Sequence, residues 1–417
     1  MKLTVRKGSL NGNVQAPPSK SHTHRAYMLA ALAEGTSRVQ SPLFGEDTNA
    51  TLDAVQALGA EVEVSGDTVT IRGGNLHAAD AVIDCKNSGS SIRMLAGIAA
   101  GLAGKTAFTG DDSLCKRPML PLLSALEALG AAVESNNGCA PFSITGPAAG
   151  GEVAIQGDIS SQFISALLLG APLSPSGRTI RLTTELASRP YVNITIAAMK
   201  KHGVEVLETA DGFVVPAGQH YTPADGIVSG DYSSAAFILA AGALTGKVTV
   251  TGLEEHDPQG DKAVLDILAR FGAKVSRTGD AVTVECGKLS GIEVDLSDAP
   301  DLFPIIAVVG CAAEGTTRLF GAAHLAFKES NRLQTTAAFL SAMGADITAT
   351  EDGCIIRGGR PLHGAEIETK GDHRIAMAGA VAALTAEGDT IIDDISCADV
   401  SYPAFVSDLR KLGGNTA

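Results

Sequence analysis

A short phrase, Ala57-Leu58-Gly59-Ala60, returns along the chain as Ala128-Leu129-Gly130-Ala131, Lys201-His202-Gly203-Val204, Arg270-Phe271-Gly272-Ala273, Ala342-Met343-Gly344-Ala345 and Lys411-Leu412-Gly413-Gly414. The glycines stand roughly 70 residues apart, so units of one kind account for the whole chain. Repetition on this scale constrains the fold more than any local motif, because a single unit cannot bury its apolar face alone and must stack on its neighbours. Each unit reads as an apolar helix such as residues 25–33, a turn at Gly35, a β-branched strand, a second helix closed by Gly59, and a hairpin around Gly66-Asp67. The predicted order is β-α-β-α-β-β. Gly35, Gly104, Gly177, Gly246, Gly315 and Gly388 follow the first helices and are expected to be left-handed helix C-caps.

At 417 residues the chain is long enough for two or three domains, each with its own core. With 45% hydrophobic residues, 19% charged residues and no apolar run of membrane-spanning length, it reads as a soluble globular protein. Met1 to Arg6 alternates like a first strand and has no secretory signature, so a cytoplasmic location is expected. The 46 acidic against 32 basic residues give a net charge of −14, which repels nucleic acid and anionic membranes and requires any anion site to be locally basic. The seven cysteines never fall as Cys-x-x-Cys, which argues against a disulfide framework or a zinc cluster. The absence of Trp and the low aromatic content argue against base stacking.

The openings of the first helices are polar: Ser19-Lys20-Ser21-His22-Thr23-His24-Arg25, Asn87-Ser88-Gly89-Ser90-Ser91-Ile92-Arg93, Asp158-Ile159-Ser160-Ser161-Gln162, Gly230-Asp231-Tyr232-Ser233-Ser234, Asp298-Ala299-Pro300-Asp301 and Gly371-Asp372-His373-Arg374. Ser and Asp there are ordinary caps. Lys and Arg in a first turn oppose the helix dipole unless an anion sits between, so the set points to phosphate or carboxylate ligands. The stretch 99–106 fits a relaxed P-loop pattern, but its glycine follows a helix where a P-loop precedes one, which argues against nucleotide binding there.

With Ser19-Lys20-Ser21 and Arg25, Lys328-Glu329-Ser330-Asn331-Arg332, and Asp372-His373-Arg374, the chain resembles the 5-enolpyruvylshikimate-3-phosphate synthase family from end to end. Further landmarks stand in the family's order: Asn87-Ser88-Gly89 to Arg93, Lys116-Arg117-Pro118, Ser160-Ser161-Gln162, Ser188-Arg189-Pro190-Tyr191 and Ala299-Pro300-Asp301. The resemblance implies a two-domain inside-out α/β barrel of six βαβαββ repeats, three per domain. Residues 1–15 plus 229–417 would form one domain and 16–228 an inserted one, with the active site in the cleft and closure coupled to binding. It implies transfer of the enolpyruvyl group of phosphoenolpyruvate to the 5-hydroxyl of shikimate 3-phosphate, with no metal or organic cofactor, in a monomer.

By the same resemblance, shikimate 3-phosphate is held by Lys20, Ser21, Arg25, Ser160, Ser161, Gln162, Ser188, Tyr191, Asp301 and Lys328. Phosphoenolpyruvate is held by Lys20, Gly89, Arg117, Gln162, Arg332 and Arg374, the arginine forks matching carboxylate and phosphate. The 5-hydroxyl must lose a proton and C3 of the enol must gain one. Asp301 is the expected base and Glu329 the expected partner at C3, with Lys20 a further donor to the leaving oxygen; which group carries each proton stays open. Taken alone, Asp301 also reads as a helix cap and Glu329 as an ion-pair partner of Lys328.

Several positions depart from the family. Val400 stands where a lysine commonly reaches phosphoenolpyruvate, His24 and His324 stand where asparagines are usual, and Met94 replaces a proline common in members sensitive to glyphosate, for which Gly89 leaves room. His22 and His24, two apart with no third ligand, make a poor metal site. Two alternatives compete. The sister transferase acting on UDP-N-acetylglucosamine often has a Cys five residues before the arginine matching Arg117, where this chain has Asp112, and a non-catalytic phosphometabolite-binding repeat protein would not need Asp301 and Glu329.

Overall fold

The structure, a computed structural model, describes all 417 residues and divides into two compact units, 1–17 with 229–417 and 18–228. Twelve α-helices follow one another as α1 (Lys20–Leu32), α2 (Glu46–Ala57), α3 (Gly89–Ala99), α4 (Leu120–Ala128), α5 (Ser161–Gly170), α6 (Arg189–Lys201), α7 (Tyr232–Thr245), α8 (Val264–Phe271), α9 (Phe303–Ala312), α10 (Arg332–Ala342), α11 (His373–Ala383) and α12 (Phe405–Lys411). None is long and apolar enough to cross a membrane.

Strands form six four-stranded sheets of one connectivity. In one of them Ile83–Asp84 lies parallel to Gly104–Thr109, which pairs antiparallel with Cys139–Gly146, which pairs in turn with Ala132–Asn136. Helix α3 connects the first two strands and α4 leads into the hairpin.

The odd-numbered helices form the interiors. In the unit containing the termini, α7 is enclosed from Tyr232 to Ala243, α9 from Phe303 to Cys311, and α11 throughout. In the other, α3 and α5 are buried nearly throughout and α1 over most of its length. The even-numbered helices keep a solvent face: α8 buries only Val264, Ile267, Leu268 and Phe271, the i, i+3, i+4, i+7 stripe of an amphipathic helix. In each unit helices lie inside and sheets outside.

All six phrase glycines have positive φ, from +82° at Gly203 to +110° at Gly272, and each ends an even-numbered helix, where a residue with a Cβ is disfavoured. The other glycine series does something different from the expected C-capping. Helices α1 and α9 already end at Ala33 and Ala313, whose ψ values of 135° and 140° are extended, and Gly35 and Gly315 turn the chain into the next strand. Gly246 does cap α7, its N–H donating to the Gly242 carbonyl, but with φ 179° it is extended and not left-handed.

The chain passes between units after a repeat's first strand and before its first helix. Asn11–Gln15 pairs in parallel with Lys247–Thr251, although α1 follows it; Gly226–Ile227 pairs in parallel with Val39 and Gln40, although α7 follows it. The first crossing falls after Pro17 rather than after residue 15, because the Ala16 amide still donates to Thr251 and the Pro17 carbonyl accepts from Asp231. Leu3–Arg6 is the inserted strand of the last sheet and not the opener of the first, lying between Thr390–Ile392 and Asn415–Thr416.

Helices α3 and α5 approach through glycines. A Cβ at Gly97 would lie 2.0 Å from the Ala166 carbonyl oxygen, and one at Gly170 2.0 Å from that of Gly97. Gly97→Ala therefore forces two backbones apart. The expected outcome is a loss of about 1–3 kcal/mol of stability, read as a lowered midpoint of thermal or urea unfolding.

Candidate active site

Five odd-numbered helices open on a side-chain cap. Ser19, Ser88 and Ser160 accept from backbone N–H groups of α1, α3 and α5, and Asp231 and Asp372 do so for α7 and α11. Helix α9 opens through a 3-10 turn, Pro300–Leu302, with no side-chain cap, so Asp301 is not occupied as one.

At the helix openings of the 18–228 unit, Arg25 and Arg117 bond to uncharged oxygens. Arg25, only 2% exposed, donates through Nε to Thr195 Oγ1 at 2.7 Å, through Nη1 to the Ser21 carbonyl at 2.8 Å and through Nη2 to the Tyr191 carbonyl at 3.0 Å. Burial lowers its pKa to about 10, with Tyr191 pulling the other way, so the guanidinium remains charged at neutral pH. At the opening of α3, a Cβ built on Gly89 would meet Arg117 Nη1 at 3.3 Å, Arg93 Nη1 at 3.5 Å and Gln162 Oε1 at 3.6 Å. Arg93 donates to Gln162 Oε1 at 2.7 Å, Gln162 to Ser90 Oγ at 2.8 Å, and Arg117 to Asn87 Oδ1 and Ser113 Oγ. Two guanidiniums and a helix N-terminus thus converge on one backbone position, the arrangement that attracts a phosphate or carboxylate. Lys20 pairs with Asp47 at 3.0 Å. Ser160 and Ser161 occupy the first turn of α5. Ser188, with φ +55°, opens α6, which carries Tyr191.

The other unit is arranged in the opposite way. Arg332, 1% exposed, lies at 2.8 Å from Asp301, 2.6 Å from Glu329 and 2.8 Å from Asp372, one carboxylate for each of its three nitrogens. Arg374 holds the second oxygen of Asp301 at 2.8 Å, and Lys328 lies 3.9 Å from the first. Asp372 also accepts from Ser330 and from the Arg374 amide. Glu329 therefore pairs with Arg332, while the ion pair of Lys328 is with Asp301. Three carboxylates and three cations balance, which is what makes so dense a buried cluster tolerable.

Burial pushes Asp301 up, but Arg374, Lys328 and Arg332 outweigh it and hold its pKa well below the usual carboxylate range. Nearby Asp261 goes the other way: burial and the charge of Asp301 push it up to about 7, with Arg374 and the Ser233 hydroxyl opposing. His324 is lowered to about 4, by burial and then by Lys328, and is neutral at physiological pH. Val400 ends a 3-10 turn, Ser396–Val400, between exposed Asp399 and buried Ser401. No group of three or more His, Cys, Asp or Glu is arranged to hold a metal.

Residues 5–409 match the family EPSP synthase (3-phosphoshikimate 1-carboxyvinyltransferase). The chain belongs to the EPSP synthase family. Among its relatives, the 3-phosphoshikimate 1-carboxyvinyltransferase of Methanocorpusculum labreanum is 59% identical over 100% of this chain and 99% of its own. That of Halobacterium salinarum is 45% identical over 100% of both chains. The solved EPSP synthase of Acinetobacter baumannii superposes with a TM-score of 0.85 at 30% identity, covering 100% of this chain and 99% of its own.

Within this EPSP synthase family member the structure brings together Arg25, Ser21 and Tyr191; Gly89, Arg117 and Gln162; and Asp301, Lys328, Glu329, Arg332 and Arg374. Sequence reasoning passed over Asp47, Arg93 and Asp372 as functional groups. Arg93 had a visible signal, lying four residues after Gly89 and so on the same helix face. Asp372 sits in a quoted motif but read as a cap, which it also is. Asp47 had none, since an acid in a helix's first turn is ordinary.

Two expectations follow. Arg332→Met takes a cation from buried Asp301 and Asp372 and from half-buried Glu329, and a loss of about 3–5 kcal/mol in unfolding free energy is expected. For Asp261 the folded state holds a proton more tightly than the unfolded chain, whose Asp titrates near about 4. Its contribution to stability is thus present below about pH 4 and lost as pH rises through about 7. Asp261→Asn should flatten that fall, seen by comparing urea midpoints of parent and variant across this range.

Proposed function

We propose that the chain transfers the enolpyruvyl group of phosphoenolpyruvate to the 5-hydroxyl of shikimate 3-phosphate and releases phosphate, and that both clusters act on this pair of substrates. Full-length family membership carries the reading. The chemistry of the clusters supports it, because the substrates together bring two phosphates and two carboxylates.

Lys20, Ser21, Arg25, Ser160, Ser161, Gln162, Ser188, Tyr191, Asp301 and Lys328 take shikimate 3-phosphate, whose hydroxyls suit the serines and the amide. Lys20, Gly89, Arg117, Gln162, Arg332 and Arg374 take phosphoenolpyruvate, and Arg93 joins them on the strength of its convergence with Arg117 beside Gly89. In the addition step the 5-oxygen bonds to C2 as its proton leaves, and C3 takes up a proton, giving a tetrahedral ketal phosphate. In the elimination step C3 returns that proton, the C2–C3 double bond re-forms and the C2–O bond to phosphate breaks. Asp301 and Glu329 carry the two protons, and Lys20 donates to the leaving oxygen.

The resting cluster makes Asp301 a weak base, held ionised by three cations. An anionic substrate that takes up Arg374 and Lys328 loosens that hold, so Asp301 gains basicity only when the site is loaded. We further propose a cytoplasmic monomer that needs no metal or organic cofactor, on the family resemblance.

Phosphate release should be seen with phosphoenolpyruvate plus shikimate 3-phosphate, in the presence of a chelator, and not when UDP-N-acetylglucosamine replaces the sugar acid. The converse result reassigns the chain to the sister transferases. Asp301→Asn and Glu329→Gln should each lower kcat by about 10²- to 10⁴-fold while calorimetry still detects substrate binding.

A further inference from the structure

Three helix openings in the 18–228 unit are joined by a buried polar chain. Lys20 and His24 stand one turn apart on α1, and Asp47 and Thr51 one turn apart on α2. Residues four apart share a helix face, and these two faces meet pair by pair. Lys20 Nζ is 3.0 Å from Asp47 Oδ2, and His24 Nδ1 is 2.7 Å from Thr51 Oγ1. From Thr51 the chain continues to Ser91 Oγ at 2.6 Å, and from Ser91 to the capping Ser88 Oγ at 2.6 Å. His24, Thr51, Ser88 and Ser91 have no exposed surface. A fully enclosed chain of this kind is rigid when satisfied and costly when broken.

Counting hydrogens gives the chain a direction. Ser88 Oγ already accepts the Ser91 amide at 3.1 Å, and it accepts the Ser91 hydroxyl as well. With its single proton spent there, Ser91 can only accept from Thr51. Thr51, its own proton spent, must accept from His24, so Nδ1 carries the hydrogen. The competing acceptor for both hydroxyls, the Asp47 carbonyl, lies farther off at 3.3 Å and 3.4 Å. His24 Nε2 is buried with no hydrogen-bond partner, and in this order it carries a lone pair. The reverse order would leave a buried N–H with no acceptor, the rarer and more costly defect. Burial, with Lys20 and Arg25 close by, keeps the ring neutral.

Ser88 immediately precedes Gly89, where Arg117, Arg93 and Gln162 converge, and Lys20 lies one turn from His24 on the other helix. We infer that His24, Thr51 and Ser91 are positioning residues, which fix the opening turn of α3 against the Lys20 turn of α1 and so set the geometry in which phosphoenolpyruvate is held. They touch no substrate themselves. The inference rests on the enolpyruvyl-transfer reading.

Ser91→Ala removes one oxygen from the middle of the chain. The KM for phosphoenolpyruvate should rise about three- to tenfold while that for shikimate 3-phosphate stays within about twofold, a split that general destabilisation does not produce. His24→Leu should reproduce the split, and His24→Asn, whose amide N–H can replace Nδ1–H, should restore near-parental values. In the parent protein, nitrogen NMR should find His24 as the neutral Nδ1–H tautomer. Equal changes in both KM values, no change in either, or an Nε2–H tautomer overturns the proposal. Failure of the transfer reading shows separately, as absence of phosphate release by the parent protein. The tautomer still tests the chain in that case, and absence of Nδ1–H overturns it.

Discussion

A helix buried on all sides has nowhere to put its unpaired end groups except into whatever the fold supplies at its tips. The odd-numbered helices of this chain are such helices, and the first N–H groups of each would be costly orphans in an apolar interior. Their answer is a polar opening turn: Ser19, Ser88, Ser160, Asp231 and Asp372 each accept a backbone N–H. The glycine phrases, the outer sheets and the apolar alanine-rich helix bodies all serve to enclose these helices. The chemistry then gathers at the openings, where capping hydroxyls and carboxylates meet buried cations such as Arg25 and Arg374.

The two units handle charge in contrasting ways. Around Gly89 and Arg25, Arg25 and Arg117 are met by carbonyl, hydroxyl and amide oxygens, which cancel less of their charge than a carboxylate would, while Lys20 is paired with Asp47. Around Arg332 every cation is met by a carboxylate, and the field is nearly cancelled until something displaces a partner. The first arrangement suits capture and the second suits response: removing one cation from the second changes the proton affinity of every carboxylate there. Asp261 and Asp301 are both buried, yet burial and the charge of Asp301 raise the first while Arg374, Lys328 and Arg332 outweigh burial and lower the second.

Much of this was legible in the sequence, for physical reasons that differ from place to place. The glycines at 59, 130, 203, 272, 344 and 413 could be read because left-handed backbone after a helix selects against a Cβ. The glycines at 35 and 315 misled, since a positive φ that opens a strand looks the same in sequence as one that closes a helix. The polar helix openings pointed to anion chemistry, but the partnership of Arg332 with Asp372 spans 40 residues, and that of Arg374 with Asp301 spans 73; no local pattern encodes either. His24 had no readable role for the same reason. Its meaning depends on Thr51 and Ser91, which periodicity alone shows only as small polar residues on neighbouring helices.

Leu3–Arg6 and Asn415–Thr416 lie in one sheet, Val5 opposite Thr416, with Thr4 and Ala417 exchanging backbone hydrogen bonds at 2.9 Å and 2.8 Å. During vectorial synthesis this gives assembly an order. Every strand and helix of the 18–228 unit has been made once residue 228 leaves the ribosome, so that unit can close while translation continues. The strand Leu3–Arg6 emerges before that unit, yet its sheet partners on both sides, Thr390–Ile392 and Asn415–Thr416, emerge after it. Leu3–Arg6 must therefore wait without its partners until residues 390–416 have been made, and only then can this sheet close.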